Sequence, residues 1–222
     1  MKPTTPSHAE LASRPLDYRF ASWLVRVFAR CYFRLRVVGV HHVPLVGPAV
    51  LASNHLSYLD PPLVGCVLPR RIHSLARKSL FQSSLLGFVI RRLQAVPVDR
   101  DGGGGGGLKA ILDKLSAGST ILLFPEGTRS PDGEVKTARA GIGLTVIKTD
   151  APVIPVRIVG AFEAMGRHHR FPRPRPITIV FGAPMTFAAL RAEAASCDKA
   201  RLKEIYQQVA DELMDAVRNL QP

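Results

Sequence analysis

Between Asn54 and Asp60 the chain sets an imidazole, two hydroxyl groups and a carboxylate close together: Asn54-His55-Leu56-Ser57-Tyr58-Leu59-Asp60. Histidine is the side chain suited to exchanging protons near neutral pH, and a nearby aspartate can orient its ring. His55 and Asp60 therefore suggest proton abstraction. A second run, Phe124-Pro125-Glu126-Gly127-Thr128-Arg129-Ser130, follows a strand-like apolar segment. It packs a carboxylate, two hydroxyls, a guanidinium and a flexible glycine into one turn, the composition of a site that stabilises an oxyanion.

The spacing constrains how these groups can meet. Five residues of regular helix rotate through about 140°, so His55 and Asp60 share no helix face and must flank a bend. Pro61 supplies one, because it disfavours the α region for Asp60 and fits the first position of a helix. Asp60 could equally be a plain N-cap, with Asn54 and Ser57 as loop formers. Glu126 could be a turn residue whose carboxylate pairs with Arg129 or caps local amides.

Together, in this order and about seventy residues apart, the two runs resemble the glycerolipid acyltransferase family, which carries an N-H-x-x-x-x-D motif followed by F-P-E-G-T-R-S. Both match at every position. The resemblance implies that His55 is the general base that takes the proton of an acceptor hydroxyl, and that Asp60 fixes its tautomer. The hydroxyl would then attack an acyl thioester directly, without an acyl-enzyme. The chain has no G-x-S-x-G elbow, and no cysteine stands beside a histidine in a nucleophile motif.

Further blocks extend the match over residues 37–182. Val96-Pro97-Val98-Asp99-Arg100 resembles the block whose arginine lies near the acceptor phosphate, which makes Arg100 and Arg129 phosphate candidates. Glu126, Gly127 and Thr128 are implied in acceptor binding. Val153-Ile154-Pro155-Val156 resembles the proline-centred fourth block, and Lys78 resembles a lysine that precedes a membrane-facing helix. Where the family has Phe-Lys-x-Gly, this chain has Ala138-Arg139-Ala140-Gly141, keeping a cation and the glycine but losing the aromatic ring.

The elements that must position these groups alternate. Residues 35–40, 49–53, 71–76, 95–98, 120–124, 153–159 and 177–181 are short, aliphatic and bounded by Gly, Pro or charge, as strands are. Residues 63–68, 79–93, 108–117, 142–149 and 188–220 read as helices. The alternation predicts an α/β fold with a single sheet covered by helices. The last helix is expected to be a cover with no chemistry. The six glycines at 102–107 satisfy a G-x-G-x-x-G pattern trivially, and a flexible loop is the preferred reading over a dinucleotide site.

With 222 residues, 46% of them hydrophobic, the chain can build one sizeable core. Cys31, Cys66 and Cys197 are far apart and form neither a metal pair nor a disulfide framework, which favours a reducing compartment. Residues 1–15 do not read as a secretory signal. The adjacent histidines His41-His42 and His168-His169 have no partners at ligand spacing, so no metal is expected, nor any cofactor beyond the donor substrate.

A net charge of +13 calls for an anionic partner. Residues 61–98 carry Arg70, Arg71, Arg77, Lys78, Arg91 and Arg92 with no acid, interleaved with apolar runs, which favours a lipid surface over nucleic acid. Residues 18–38 are expected to form an amphipathic helix, with Arg19, Arg26, Arg30 and Arg34 gathered on one face and Phe20, Trp23, Leu24, Val27 and Phe28 around the rest. Four arginines make a bilayer span costly, whereas an interfacial helix suits them; the alternative is an ordinary amphipathic helix packed on the protein's own core. The expected organisation is an N-terminal anchor over 1–36 and an acyltransferase domain over 37–222, on the cytoplasmic face of the membrane. The expected partners are an acyl-CoA or acyl carrier protein donor, a membrane lipid acceptor and the anionic surface itself. The expected reaction is acylation of the sn-2 hydroxyl of lysophosphatidate. The alternatives are another lyso-lipid acceptor, such as a lyso-ornithine lipid, or a non-catalytic basic protein on membranes.

Overall fold

All five residues of Ala49–Ser53 are buried, which a strand achieves only when both its faces are covered. Ala49 and Leu51 enter one hydrophobic core while Val50 and Ala52 enter another, the alternation that a pleated strand imposes. The computed structural model describes residues 16–82, 90–91, 95–98 and 105–222. In chain order its elements are α1 (Leu16–Phe33), β1 (Arg36–Val38), β2 (Ala49–Ser53), α2 (Asp60–Val67), β3 (Ile72–Arg77), β4 (Val96–Val98), α3 (Gly105–Ser116), β5 (Thr120–Leu123), α4 (Gly141–Ile147), β6 (Val153–Val159), α5 (Ala161–Met165), β7 (Thr178–Phe181), α6 (Ala188–Ala194) and α7 (Lys199–Asn219).

The seven strands form one sheet in the order β1-β7-β6-β2-β5-β3-β4. Only β6 and β7 pair antiparallel; every other neighbouring pair is parallel. Helices α1, α2 and α5 cover one face through Ala29, Phe33, Leu63, Val64 and Ala161. Helices α3, α4 and α7 cover the other through Ile111, Leu115, Ile142, Val146, Ile205, Val209 and Leu213. Because β2 is parallel to β5 and to β6, the loops that leave their C-terminal ends emerge at one edge of the sheet, where ligands of open α/β folds bind.

Several expected boundaries shift for local reasons. The helix expected over 18–38 ends at Phe33, because Arg34 takes a left-handed φ of 48°. Residues 36–38 become the edge strand β1. The single terminal helix expected over 188–220 is broken before Lys199, where Asp198 caps α7 by accepting the Arg201 amide at 2.8 Å. Gly105, Gly106 and Gly107 open α3 rather than continuing a loop. Of the helix expected over 79–93, residues 78–82 form a 3-10 turn, and much of the remainder lies outside the described residues.

Two of the arginines expected at a lipid surface are instead spent inside the protein. The Arg26 guanidinium donates to the Cys66 carbonyl, through Nε at 2.7 Å and also through Nη2, supplying a partner at the C-terminal end of α2. Arg70 donates to the carbonyls of Pro44, Gly47 and Gly118, stapling loops beside the N-terminal ends of β2 and β5. Helix α1 has a buried side with Tyr18, Ser22, Ala29 and Phe33, and an outer side on which Phe20 and Trp23 are 61% and 56% exposed, beside exposed Leu24, Val27 and Phe28. Arg19 and Arg30 are also exposed.

Helices α4 and α7 cross at Gly143, where a Cβ would stand 1.8 Å from the Tyr206 carbonyl oxygen. Gly143→Ala should therefore lower the unfolding free energy by about 1–3 kcal/mol in a urea titration, as overpacking does. A midpoint equal to wild type would contradict this close crossing.

Candidate active site

Chain leaving β2 is gripped at once. The Asn54 side chain donates from Nδ2 to the Ile158 carbonyl at 2.9 Å and accepts the Ile158 amide on Oδ1 at 2.8 Å, extending the contact between β2 and β6 beyond the strand. The next residues fold around one atom. Asp60 Oδ2 accepts the amides of Leu56 and Ser57 at 2.7 and 2.8 Å and the His55 ring Nδ1 at 2.8 Å, and Asp60 is fully buried. A carboxylate oxygen only accepts, so Nδ1 carries the hydrogen and Nε2 is the nitrogen left for a substrate proton. Asp60 opens α2 with Pro61 behind it, yet makes no forward cap, so the N-cap alternative is not the arrangement adopted. Its carboxylate reaches back to the bend.

The rest of the turn is braced from two sides. Ser57 donates from Oγ to the Met165 carbonyl at 2.7 Å and accepts the Leu59 amide at 3.1 Å, so this hydroxyl is occupied in holding the turn to the end of α5. The Phe124 ring stacks on the imidazole, with centroids 3.9 Å apart and planes 16° from parallel.

The second run clasps His55 through its backbone. Register between β2 and β5 places Ala52 opposite Leu123, which brings residues 124–130 beside the turn. Glu126 Oε1 accepts the His55 amide at 3.2 Å, and the Ser130 amide donates to the His55 carbonyl at 2.8 Å. Both backbone groups of His55 are thus held by the other motif. Glu126 is buried, and burial pushes its carboxyl up to about 7; the Asp60 charge adds to the rise, while the His55 amide and Lys136 oppose it. Glu126 therefore sits as a support under His55 rather than as a partner of Arg129.

The cations lie around this clasp. Gly127 has φ 72°, and the Arg139 side chain passes so close that a Cβ there would stand 3.0 Å from Arg139 Nε. Arg129 is half-buried, with its guanidinium 3.6 Å from the centroid of the half-exposed Tyr58 ring, a cation–π contact. Thr128 is exposed. Lys78 is exposed at the C-terminal end of β3, on the same edge of the sheet as His55. Arg100 lies outside the described residues.

His55, Gly127 and Arg139 border a cavity of about 470 Å³. Its walls are mainly apolar, from Leu75, Leu108, Ile111, Leu123, Ile142 and Leu144, with Gly107 contributing where a side chain would take up space. A hydrocarbon tail suits such walls. Among the described residues, no group of three or more His, Cys, Asp or Glu gathers into a metal site. Sequence reasoning missed Tyr58 as the platform for Arg129 and Phe124 as the cover of the imidazole. Both stand within the two motifs, but ring stacking across 69 residues of chain has no local signal.

A family model described as Acyltransferase matches residues 34–159, more than half of the chain and the whole of the geometry above apart from Met165. The chain belongs to the acyltransferase family. A protein of Bacillus subtilis (strain 168) named 1-acyl-sn-glycerol-3-phosphate acyltransferase is 28% identical over 144 residues, which are 64% of this chain and 71% of that protein. The mouse 1-acyl-sn-glycerol-3-phosphate acyltransferase alpha is 31% identical over 132 residues, 55% of this chain and 44% of the mouse protein. The crystal structure of the 1-acyl-sn-glycerophosphate acyltransferase PlsC from Thermotoga maritima superposes with a TM-score of 0.65 at 22% identity, covering 91% of this chain and 82% of that one. The shared fold is an α/β sheet with helices on both faces. In this acyltransferase both motifs lie in the matched span, while α1, α5, β7, α6 and α7 lie outside it.

The buried Glu126 gives the acyltransferase a pH signature. Its carboxyl is raised from about 4.5 to about 7 on folding, so the stability it contributes is present at low pH and is lost as pH rises through about 7. Glu126→Gln retains an acceptor for the His55 amide and should flatten the dependence of Tm on pH over that window. An unchanged slope in the variant would remove Glu126 from this role.

Proposed function

We propose that this acyltransferase moves a fatty acyl group from acyl-CoA or acyl carrier protein to the sn-2 hydroxyl of lysophosphatidate, giving phosphatidate, with His55 as general base. The carrying observation is the His55 ring, fixed by Asp60 through Nδ1, bordering a cavity with apolar walls and an arginine. His55 Nε2 takes the hydroxyl proton as the acceptor oxygen attacks the thioester carbonyl. The tetrahedral intermediate then collapses, the C–S bond breaks, and the proton passes to the departing thiolate. No acyl-enzyme is needed: Ser57 is engaged with Met165, and burial pushes the Cys66 thiol up to about 11.

Arg129 and Arg139 are suited to the acceptor phosphate, Arg129 because Tyr58 pre-positions its guanidinium and Arg139 because it crosses Gly127 beside the cavity. The names of the Bacillus and mouse relatives support this acceptor. Helix α1 is read as an interfacial anchor: its outer side is apolar and exposed with Arg19 and Arg30 exposed as well, and no described helix is long and apolar enough to cross a membrane. The three cysteines are unpaired, in keeping with a peripheral enzyme on the cytoplasmic face.

The deciding assay supplies labelled acyl donor and a panel of lyso-lipids, with product identified by chromatography; lysophosphatidate should be the acceptor consumed, and preference for a headgroup without phosphate would overturn the acceptor assignment. His55→Ala should lower kcat by ~10²–10⁴ with the fold intact, the usual effect of removing a positioned base, and Asp60→Asn should be strongly impaired. Activity within a factor of a few of wild type would exclude His55 as the base. Arg129→Ala and Arg139→Ala should each raise KM for lysophosphatidate about tenfold or more, since a charge-assisted contact is worth ~1.5–3 kcal/mol. A change confined to KM for the thioester would place these cations on the donor instead.

A further inference from the structure

The segment between α5 and β7 is strongly basic. Residues 166–176 contain Arg167, Arg170, Arg173 and Arg175 with His168 and His169, and no Asp or Glu occurs from Ala164 through Ala192. All four arginines are exposed. Among them stands Phe171, 71% exposed, more than any other large apolar side chain among the described residues. Pro172, Pro174 and Pro176 lack amide hydrogens and keep the segment extended without making it a pairing edge.

This segment is tied down at both ends. At its start, the Met165 carbonyl accepts from Ser57 Oγ at 2.7 Å, which fastens it to the turn that carries His55. The Arg173 amide donates back to the Ala164 carbonyl at 2.7 Å. Further on, Tyr32 of α1 donates its hydroxyl to the Pro172 carbonyl at 3.0 Å, and the Ile177 amide donates to the Phe33 carbonyl at 3.0 Å. Tyr32 in turn stacks on Phe28, with centroids 5.0 Å apart, and Phe28 belongs to the exposed apolar side of α1. Phe171 therefore extends that side through Pro172, Tyr32 and Phe28.

An apolar ring projecting among guanidinium groups matches a surface that is anionic at the top and hydrocarbon just beneath. Stacking on a nucleic-acid base would also use an aromatic residue among cations, but would leave the adjoining face of α1 uncovered. We propose that residues 166–176 are a second membrane-contacting element, with Phe171 inserted below the headgroups of an anionic bilayer and Arg170, Arg173 and Arg175 on lipid phosphates. With α1 as the first support, two contacts fix the tilt of the protein and hold the His55 turn, joined to this loop through Ser57, at a set height above the lipid. The inference rests on the interfacial reading of α1 given above.

Trp23 on α1 is the only tryptophan, which makes the test direct. In wild type the indole reports on α1, and in the W23F/F171W variant it reports on the loop. Each is mixed with vesicles of equal parts phosphatidylglycerol and brominated phosphatidylcholine. Both proteins should show quenching and a blue shift. A bound W23F/F171W variant with unquenched emission would overturn the proposal, while quenching there but not in wild type would keep the loop contact and remove α1. A second variant, R170Q/R175Q, should partition to these vesicles roughly 25-fold more weakly, at about fivefold per neutralised arginine, with an unchanged melting temperature. Undiminished partitioning would also overturn it, as would binding of the W23F/F171W variant to a single-stranded RNA with no binding to the vesicles. Failure of acyl transfer to any lyso-lipid would sink the enzymatic assignment alone, because quenching is read without turnover.

Discussion

Asp60 Oδ2 gathers the amides of Leu56 and Ser57 and the ring of His55 within 2.8 Å in a fully buried position, and the site cannot form without that cluster. Burying a carboxylate is costly unless its lone pairs are filled. Here three N–H donors fill Oδ2 while Oδ1 is buried without a partner, and two of the three donors belong to the backbone of the bend itself. The interaction that orients the imidazole therefore also shapes the turn that presents it. Around this knot, Asn54 fixes the exit from β2, Ser57 fixes the bend to α5, and Glu126 and Ser130 hold the two backbone groups of His55.

Much of this was legible in the sequence. Short aliphatic runs bounded by glycine, proline or charge located all seven strands, including the edge strand β1, which is exposed throughout and is marked by its β-branched residues. Helical rotation alone requires His55 and Asp60 to flank a bend, and they do. Other features depend on tertiary contact. Nothing near Glu126 announces that its carboxylate supports an amide 71 residues away, because that contact exists only once β2 and β5 pair in register. The helix boundary at Arg34 was hidden too, since arginine is a good helix former and only the pull of β1 toward β7 explains its left-handed backbone.

The net charge of +13 divides into two populations. Arg26 and Arg70 close carbonyl groups inside the fold, and counting them as lipid-facing overstates the surface field. Arg19, Arg30 and the arginines of residues 166–176 remain exposed beside apolar side chains. Periodicity cannot separate these groups, because a guanidinium on one helix is equally able to cap its neighbour or to meet a phosphate.

Asp60 locks His55 as the tautomer with hydrogen on Nδ1 and a free lone pair on Nε2. Nitrogen-15 NMR of histidine-labelled protein, with the His55 signals assigned by their loss in His55→Gln, reads this directly. Expected for the neutral ring is a protonated Nδ1 with a downfield-shifted, slowly exchanging hydrogen and an unprotonated Nε2, collapsing to mixed tautomers in Asp60→Asn. A His55 ring carrying its hydrogen on Nε2 in the wild-type protein would contradict it.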